Sequence, residues 1–488
     1  MSVYRSRMTG PISVLLAIMA LAIEAHPGDA TPAGASAAPA SATRVEGLIV
    51  RYRDASRRVM VRGHEVRIAA PVEPAVMETR RQWLASRLDL PMDTLKIVRQ
   101  LPTGGHLFAL ARPVDGELLD GRLSRLKEED PFIEDMAPDD AMPPSVVTRS
   151  QLKGEPMFAD QWNLRAIGLP QALARADGRG VVIAVLDSGR LDHPDLEGQW
   201  LPGWDFIDDP LEAGDGDGWD ADPTDVPQIP GQSHDPDPWH GLQVTGVLAA
   251  KLDGRGMMGV APGARVLPLR VTSGGGAHLS AVISALYWAV GGDVPDVPVN
   301  ASPARVINMS FGGDRPCASE RQLAIDFARA HGAVVVAAAG NDGAHARRLL
   351  SPANCRGVVS VANANRSRTL AKSSSRVDGI TLTAPGGGQS DPGYGDILTT
   401  SNRGIRRIRK PTYARVSGTS TAAPHVAGVA ALMLALRPAA TPDQIERAVR
   451  ASATPMPGCS ACGAGLLNAP RALDEIQNIV DAGTNAPP

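Results

Sequence analysis

Residues 181–187 read VVIAVLD, a continuous apolar run that ends in an aspartate. A short run of this kind, bounded by turn residues, is typical of a strand buried on both faces of a parallel sheet. Similar runs follow, interspersed with stretches that have helical spacing. The strand-like runs are 264–271, 304–310, 333–339 and 357–362, and the helical stretches are 240–252, 278–290, 319–331 and 421–436. This alternation predicts an α/β domain with a mostly parallel central sheet covered on both faces.

The sequence before this domain has a different pattern. Residues 45–52 alternate like a half-buried strand, whereas 78–88 and 118–130 show helical spacing. These elements predict a small α+β unit over residues 44–140. Acidic residues, paired prolines and a Ser/Thr cluster follow at 137–150, which is typical of an exposed domain boundary.

The N-terminus is predicted to be an export signal. Arg5 and Arg7 precede the apolar run 11–23, which is shorter than the ~20 residues that a membrane-spanning helix needs. Small residues begin at Ala25, so residues 1–25 have the layout of a signal peptide, with a buried N-terminal helix as the alternative. We therefore expect a secreted, extracellular protein that crosses the periplasm where the cell has one.

The remaining segments complete the predicted organisation. Residues 26–43 are rich in Pro, Ala, Ser and Gly, which is typical of a linker. The α/β domain is expected to span residues 141–480, and 481–488 to form a C-terminal tail.

The composition excludes several classes of protein. The 49 Lys and Arg residues nearly balance the 52 Asp and Glu residues, whereas a protein that coats nucleic acid has a basic excess. Aromatic residues make up only 4%, which argues against a surface that stacks bases. We therefore expect no nucleic-acid partner. We also expect no membrane span in the mature chain, because no long apolar run follows the signal. A monomer is expected because the sequence has no coiled coil or repeat.

Four cysteines, an even number, occur in this chain that is predicted to reach an oxidising compartment, and they can pair in three ways. The favoured pairs are Cys459–Cys462 and Cys317–Cys355. The spacing of Cys459 and Cys462 also occurs in redox motifs, but here it lies in Pro/Gly-rich sequence rather than at a helix start. Neither pair has the neighbouring ligands that a zinc site requires.

Four residues of the α/β domain have the types that acyl transfer needs. Asp187 ends the first buried strand, where the sheet can hold a carboxylate that orients a histidine. His240 opens a helical stretch and can exchange protons near neutral pH. Ser420 precedes another helical stretch, whose dipole favours an anionic intermediate. Asn341 follows a buried strand and can donate its side-chain amide to an oxyanion.

Taken singly, each residue has an ordinary structural explanation. Strand-end aspartates, helix-flanking histidines, N-cap serines and Asx-turn asparagines are all common. Two other histidines, His193 and His425, are interpreted in this way, as a turn residue and a packed helix residue. Together, however, Asp187, His240 and Ser420 occur along the chain in the order Asp, His, Ser, which is the order of the subtilisin triad.

Five motifs support a family resemblance. They are VLDSG (185–189), HG with V-x-G (240–246), INMSFGG (307–313), AAAGND (337–342) and SGTSTAAPHVAG (417–428). On these motifs the chain from about residue 145 to 480 resembles the subtilisin-like serine peptidases (subtilases, peptidase family S8) of secreted bacterial type. The resemblance implies a subtilisin-like three-layer fold with a mostly parallel central sheet, preceded by a small α+β propeptide domain.

The resemblance also implies roles for individual residues. Asp187, His240 and Ser420 would form the catalytic triad, and Asn341 would donate to the oxyanion. Ser310-Phe311-Gly312-Gly313 resembles the strand that pairs with the substrate backbone. Ala338-Ala339-Gly340 resembles a wall of the pocket for the residue before the scissile bond.

The implied partners are protein and peptide substrates and the chain's own propeptide, which would act as an intramolecular inhibitor. Residues 44–140 fill the position of that propeptide, and 130–140 would be its C-terminal end, held in the cleft until it is cut. The mechanism that the triad implies needs no cofactor for catalysis.

Some positions depart from the family pattern. Leu242 and Gln243 replace the usual Thr-His after the catalytic histidine, and Thr421 replaces the Met after the serine. The alternative function is therefore a catalytically weak subtilase scaffold that binds peptides. A lipase or esterase should carry G-x-S-x-G, which this sequence lacks.

Closely spaced acids in DGDGWDADPTD (215–225) predict a structural calcium site, because hard oxygen ligands suit Ca²⁺. A solvated acidic loop is the alternative, since the EF-hand pattern is not met. The expected ligands are Asp215, Asp217, Asp220 and Asp222.

Overall fold

The structure is a computed structural model that describes residues 44–484, apart from several short gaps. The gaps are residues 55, 62–63, 92, 101–104, 116–118, 120–121, 124, 128–129, 131, 139–148, 227–238, 274–275, 389–395 and 405–406. The predicted signal peptide (1–25) and linker (26–43) lie outside the described residues. The chain divides between Met142 and Pro143 into two compact units.

The N-terminal unit contains an antiparallel sheet, a hairpin and a helix. Its elements are β1 (Arg44–Tyr52), β2 (Ser56–Val61), β3 (His64–Ala69), α1 (Pro74–Arg87), β4 (Leu95–Gln100), β5 (His106–Asp115) and β6 (Ile133–Pro138). The sheet has the order β4-β5-β1-β6, and β2 pairs with β3. Leu84 of α1 is buried in one core with Leu48 and Phe108 of the sheet. This unit therefore has its own hydrophobic core and the α+β composition expected from the sequence.

The C-terminal unit is built on a seven-stranded sheet in which every strand pair is parallel, with the order β15-β14-β13-β12-β7-β9-β8. Two short antiparallel pairs, β10–β11 and β16–β17, lie outside it. The strands are β7 (Val182–Asp187), β8 (Trp204–Asp205), β9 (Arg265–Arg270), β10 (Thr272–Ser273), β11 (Gly276–Ala277), β12 (Val306–Met309), β13 (Val334–Ala338), β14 (Val358–Ala364), β15 (Leu382–Pro385), β16 (Ile397–Asn402) and β17 (Pro411–Val416).

The helices that cover this sheet vary in length from single turns to five turns. They are α2 (Arg149–Gly154), α3 (Trp162–Ala166), α4 (Leu169–Leu173), α5 (Pro210–Ala213), α6 (His240–Ala249), α7 (Leu279–Ala289), α8 (Ser319–Ala330), α9 (Thr419–Leu436), α10 (Pro442–Ser452) and α11 (Ala469–Thr484). Three 3₁₀ turns occur at Phe158–Asp160, Pro194–Leu196 and Gly343–His345.

Neighbouring residues of the central strands point to opposite faces of the sheet, and both faces are buried. Ile183 of β7 packs in one core with residues of α6 and α9. Ala184, the next residue, packs in a second core with residues of α7 and α8. This two-sided burial explains the continuous apolar runs, and it gives the three layers of the predicted subtilisin-like fold.

Helix α9 is the most apolar element. Among the described residues it is the one helix that is long and apolar enough to cross a membrane, but 83% of it is buried inside the fold. A core helix with this burial needs no membrane to cover it. Pro424 lies inside this helix, at its sixth position, and its missing N–H leaves the Ser420 carbonyl without a helical donor. That carbonyl accepts from Ser310 Oγ instead.

Several elements of the C-terminal unit were not predicted, including β15, the β16–β17 hairpin, α10 and α11. Helix α11 continues to Thr484, so residues 481–484, predicted to be part of a tail, are helical.

Candidate active site

The carboxyl end of β7 brings Asp187 next to His240. Asp187 is buried, and its Oδ1 lies 2.7 Å from His240 Nδ1. Ser188 N also donates to Oδ1, at 2.8 Å, and fixes the carboxylate. A proton on Nδ1 of the imidazole would be held by this contact, leaving Nε2 as the proton acceptor.

Helix α6, which begins at His240, is anchored at its start to strand β16. Thr399 Oγ1 donates to the Gln243 carbonyl at 2.5 Å, and Thr400 Oγ1 donates to the Leu242 carbonyl at 2.8 Å. Gly246 allows this approach, because a Cβ there would lie 2.2 Å from Thr400 Oγ1. Leu242 and Gln243, which depart from the family pattern, are both buried in this packing.

The turn after Asp187 also contacts the start of α6. Ser188 Oγ accepts from Gly241 N at 2.9 Å and donates to Asp225 Oδ2 at 2.7 Å. A Cβ on Gly241 would lie 2.3 Å from the Gly189 carbonyl oxygen, so this close approach requires glycine. Asp225 is one of several acids in the loop 215–225, and no local pattern in the sequence distinguishes it.

Ser420 lies at the second position of α9, beside Asn341. Asn341 Oδ1 accepts from Thr419 N at 2.9 Å and from Thr419 Oγ1 at 3.0 Å, which fixes the amide plane. A Cβ on Gly418 would lie 3.2 Å from Asn341 Nδ2 and 3.3 Å from Ser420 Oγ. The amide donor and the hydroxyl therefore face the same small space, which Gly418 leaves free.

His240 and Ser420 line one small cavity, together with Gln243 and Thr421. The four predicted acyl-transfer residues thus come from β7, α6, α9 and the loop after β13, and they meet at one edge of the sheet. This edge is the carboxyl end of the parallel strands, where open α/β sheets place their sites.

The predicted substrate strand lines a cleft of about 490 Å³ that also reaches Asp187 and His240. Phe311, Gly312 and Gly313 line this cleft, together with residues of β10 and β11. Ser310 has a further contact, since its Oγ donates to the Ser420 carbonyl at 2.8 Å and accepts from Asn308 Nδ2 at 2.9 Å. The Ser310 side chain therefore contacts the nucleophile's own backbone.

The predicted wall residues lie next to this region. Ala338 and Ala339 are buried, and Gly340 N donates to Thr419 Oγ1 at 3.1 Å. Leu350 lies close to both Gly312 and Gly340, because a Cβ on either glycine would be within 2.8 Å of its side chain. Leu350 therefore lies between these two glycines, a position that the sequence did not reveal.

The predicted calcium ligands do not assemble into a metal site. Within the described part of the chain, no group of three or more His, Cys, Asp or Glu side chains could hold a metal ion. Instead, the buried Arg270 guanidinium contacts Asp205 and lies 2.7 Å from Asp215 Oδ2. Asp222 accepts from Thr224 Oγ1 at 2.5 Å. The described cation next to Asp215 is thus an arginine, and calcium binding by this loop stays a prediction.

Burial raises the pKa of two acids in this region. Burial raises the pKa of Asp205 to about 6, even though the adjacent guanidinium acts in the opposite direction. Burial also raises the pKa of Asp220, whose Oδ1 accepts from Asp222 N at 2.8 Å. Asp217 lies in the same loop and is exposed.

Both favoured disulfides are present, Cys317–Cys355 and Cys459–Cys462. The other two histidines have structural roles. His193 Nδ1 accepts from Asp195 N at 3.2 Å and caps a 3₁₀ turn. His425 is fully buried in α9, with Nε2 2.8 Å from Asn163 Nδ2 and Nδ1 2.9 Å from the Thr421 carbonyl.

Comparison with known proteins places this geometry in a family. Residues 178–477 match the model of the "Subtilase family". The chain is 33% identical over 497 residues to the extracellular protease of Xanthomonas campestris, and the match covers 97% of this chain and 80% of that relative.

Solved structures agree. The proteases from Pseudoalteromonas arctica superpose with a TM-score of 0.63 at 40% identity, covering 66% of this chain and 99% of that one. Fervidolysin from Fervidobacterium pennivorans, described as a keratinolytic enzyme related to subtilisin, superposes with a TM-score of 0.53 at 26% identity. The match covers 88% of this chain and 61% of fervidolysin. The chain therefore belongs to the subtilase family of serine endopeptidases.

Proposed function

We propose that this chain is a secreted endopeptidase that cleaves proteins and peptides through Asp187, His240 and Ser420, with Asn341 as an oxyanion donor. One observation carries the proposal: Asp187 Oδ1 lies 2.7 Å from His240 Nδ1, and His240 and Ser420 line the same cavity. An acid that orients a base, next to a hydroxyl nucleophile, is the arrangement that acyl transfer requires.

The proposed mechanism follows from these positions. Ser420 Oγ attacks the peptide carbonyl while His240 Nε2 accepts its proton, and the same imidazole later protonates the leaving amine. Asp187 keeps the proton on Nδ1 and stabilises the imidazolium. Water then hydrolyses the acyl-enzyme with His240 as base.

The oxyanion is stabilised by two donors, the Ser420 N–H and the Asn341 side-chain amide. Thr419 holds Asn341 Oδ1, so that Nδ2 is directed to the space beside Ser420 Oγ. Loss of one such donor raises the activation barrier by about 2.7–4 kcal/mol, a value that was measured in a subtilisin. These groups account for every proton transfer, and we therefore propose no catalytic cofactor.

We further propose that the chain is made as a zymogen. Residues 44–140 would be an inhibitory propeptide that the active enzyme removes, and the mature unit would act as a monomer. The compact N-terminal unit that ends at Met142 supports this division. The Xanthomonas campestris relative is named an extracellular protease, which supports secretion of this chain.

Structural calcium is general among subtilases, but the acidic loop does not offer a suitable cluster in this chain. We therefore propose no position for it.

The test compares the secreted wild-type chain with Ser420→Ala on casein. Loss of the nucleophile should reduce turnover by about 10⁶-fold. The variant should also keep residues 44–140 attached, as read by N-terminal sequencing and intact mass. A folded wild type that cleaves neither casein nor varied peptides, and fails to react with a fluorophosphonate probe, would favour the peptide-binding scaffold instead.

A further inference from the structure

The cleft next to His240 contains an arginine that is fixed in place. Arg321, in the first turn of α8, lines the same 490 Å³ cleft as His240. One of its terminal nitrogens donates to Ser351 Oγ. The Ser351 backbone is itself paired with Gly313, through N–O distances of 3.0 and 2.9 Å. The guanidinium is therefore tied to the strand that is expected to pair with the substrate.

Among the residues that the structure describes, this guanidinium has no counterion. Among the described residues, no carboxylate lies within ion-pair distance of Arg321, whereas nearby Arg348 pairs with Asp314 at 3.2 Å. Arg321 Nε is buried and has no hydrogen-bond partner in the described structure. Burial lowers the pKa of the guanidinium, but arginine starts above ~12 and stays charged at neutral pH. A half-buried charge of this kind is normally paired, and this arginine lines the cleft.

The cleft has the shape to admit an extended peptide. Residues of the short strands β10 and β11 and the segment Phe311–Gly313 all line it, so that a peptide can pair with this backbone as an added strand. Side chains of such a strand alternate in direction, and every second one points to the same wall. A second arginine, Arg315, also lines this cleft, while Asp187 is its one described acid and is engaged by His240.

We propose that Arg321 binds a carboxylate side chain of the substrate, Glu or Asp, at a position two to four residues before the scissile bond. The inference rests on the proposed function, because it describes the substrate that the same site selects. The strand 310–313 begins at the Ser420 backbone, where Ser310 is bonded, and leads to Arg321. A peptide that continues through the scissile bond has no terminal carboxylate on this side, so only a side chain can supply the charge.

The experiment measures kcat/KM for internally quenched peptides that differ at one position. Glu, Gln or Lys is placed in turn at the second, third and fourth residue before the cleaved bond and at the first two after it. With the processed wild type, Glu should exceed Gln by about tenfold to a hundredfold at one of the three preceding positions, as expected for a charge-assisted hydrogen bond. Lys should be the poorest residue there.

Variants test whether Arg321 is the cause. Arg321→Gln should reduce the Glu-to-Gln ratio to near one, and Arg321→Glu should favour Lys. The matched control is Arg356→Gln, which removes an exposed arginine from the same region and should keep the wild-type ratio. Fluorophosphonate labelling establishes that each variant is folded, and Arg321→Lys, which keeps the charge, should retain part of the preference.

The outcomes are separable. Equal cleavage of the Glu, Gln and Lys peptides by wild type, or a Glu preference that survives in Arg321→Gln, would overturn the inference while leaving the peptidase function intact. A preference confined to positions after the cleaved bond would also overturn it. Failure of processed wild type to cleave any peptide would contradict the proposed function, and the inference with it.

Discussion

Ser188 Oγ donates to Asp225 Oδ2 at 2.7 Å, and the same hydroxyl accepts from Gly241 N, the residue after His240. Asp225 is buried, so its carboxylate is shielded from water and orients Ser188 strongly. Ser188, which follows Asp187 in the chain, thus connects the acidic loop to the residue after His240. We expect Asp225 to act as a positioning residue, because its carboxylate accepts from Ser188 Oγ and Ser188 N donates to Asp187 Oδ1.

Asp225→Ala should therefore lower kcat more than it raises KM, with kcat/KM reduced by about tenfold, the equivalent of one net charge-assisted hydrogen bond. Asp225→Asn keeps an acceptor oxygen for Ser188 and should recover most of the activity. Asp222→Asn, an exposed acid of the same loop, serves as the control. Equal losses in the Ala and Asn variants, or a change in KM alone, would contradict a positioning role.

Gly418 should be essential for turnover. Its φ of +150° with ψ of 172° suits glycine, and a Cβ there would enter the space between Asn341 Nδ2 and Ser420 Oγ. We expect Gly418→Ala to lower kcat by about 10² or more, the effect of losing an oxyanion donor.

The matched control is Gly254→Ala, since Gly254 also has a positive φ of 81° but nothing lies within 4 Å of a Cβ there. Both variants carry backbone strain, and only the first blocks the oxyanion space. The kcat for a peptide substrate and the thermal midpoint of unfolding should be measured for each variant. Similar activity in the two alanine variants would rule out a steric role for Gly418.

His425 should make stability depend on pH. Burial lowers the pKa of this imidazole to about 4, against an ordinary value of ~6.5 in the unfolded chain. A base with a depressed folded pKa contributes stability above pH ~6.5, and loses it as pH falls toward 4, because the unfolded chain binds the proton first. The loss should reach roughly 3 kcal/mol, at ~1.4 kcal/mol per pH unit.

Chemical denaturation of Ser420→Ala between pH 4 and 7 would measure this slope without autolysis. His425→Gln in the same background should flatten the curve, since Gln offers polar contacts to Asn163 and the Thr421 carbonyl but does not titrate. An unchanged slope in His425→Gln would assign the pH dependence to other groups.

The sequence predicted the fold well where the physical signal is local. The runs that became β13 and β7, up to the terminal Asp187, are apolar at every position because the sheet buries both faces, and two cores confirm this. The proposed acyl-transfer residues have a local signal, because each lies at or just after the end of a strand or at the start of a helix. Ser188 and Asp225 are 37 residues apart, and Arg321 and Ser351 are 30 apart, so these contacts depend on loop paths that no periodicity encodes.

The acidic loop shows the same limit. The close spacing of its acids predicts calcium, whereas the described cation that contacts Asp215 is the side chain of Arg270, 55 residues away. Arg270 lies on β9 and is almost fully buried, so its charge is available only to the residues around it. The local sequence shows the acids and not the arginine.

Arg270→Met should therefore destabilise the mature unit by about 3–5 kcal/mol, because Asp205 and Asp215 would be left without their buried partner. Arg356→Met, which removes an exposed arginine, should change stability by no more than ~0.5 kcal/mol. Equilibrium unfolding in the Ser420→Ala background gives both values.

The effect of calcium on the thermal midpoint tests whether the acidic loop binds this ion. If Arg270 is the cation of this loop, replacing Asp217 and Asp222 by Asn should leave any calcium-dependent shift of the thermal midpoint as it is in the parent chain. Loss of that shift in the double variant would show that the loop binds calcium after all.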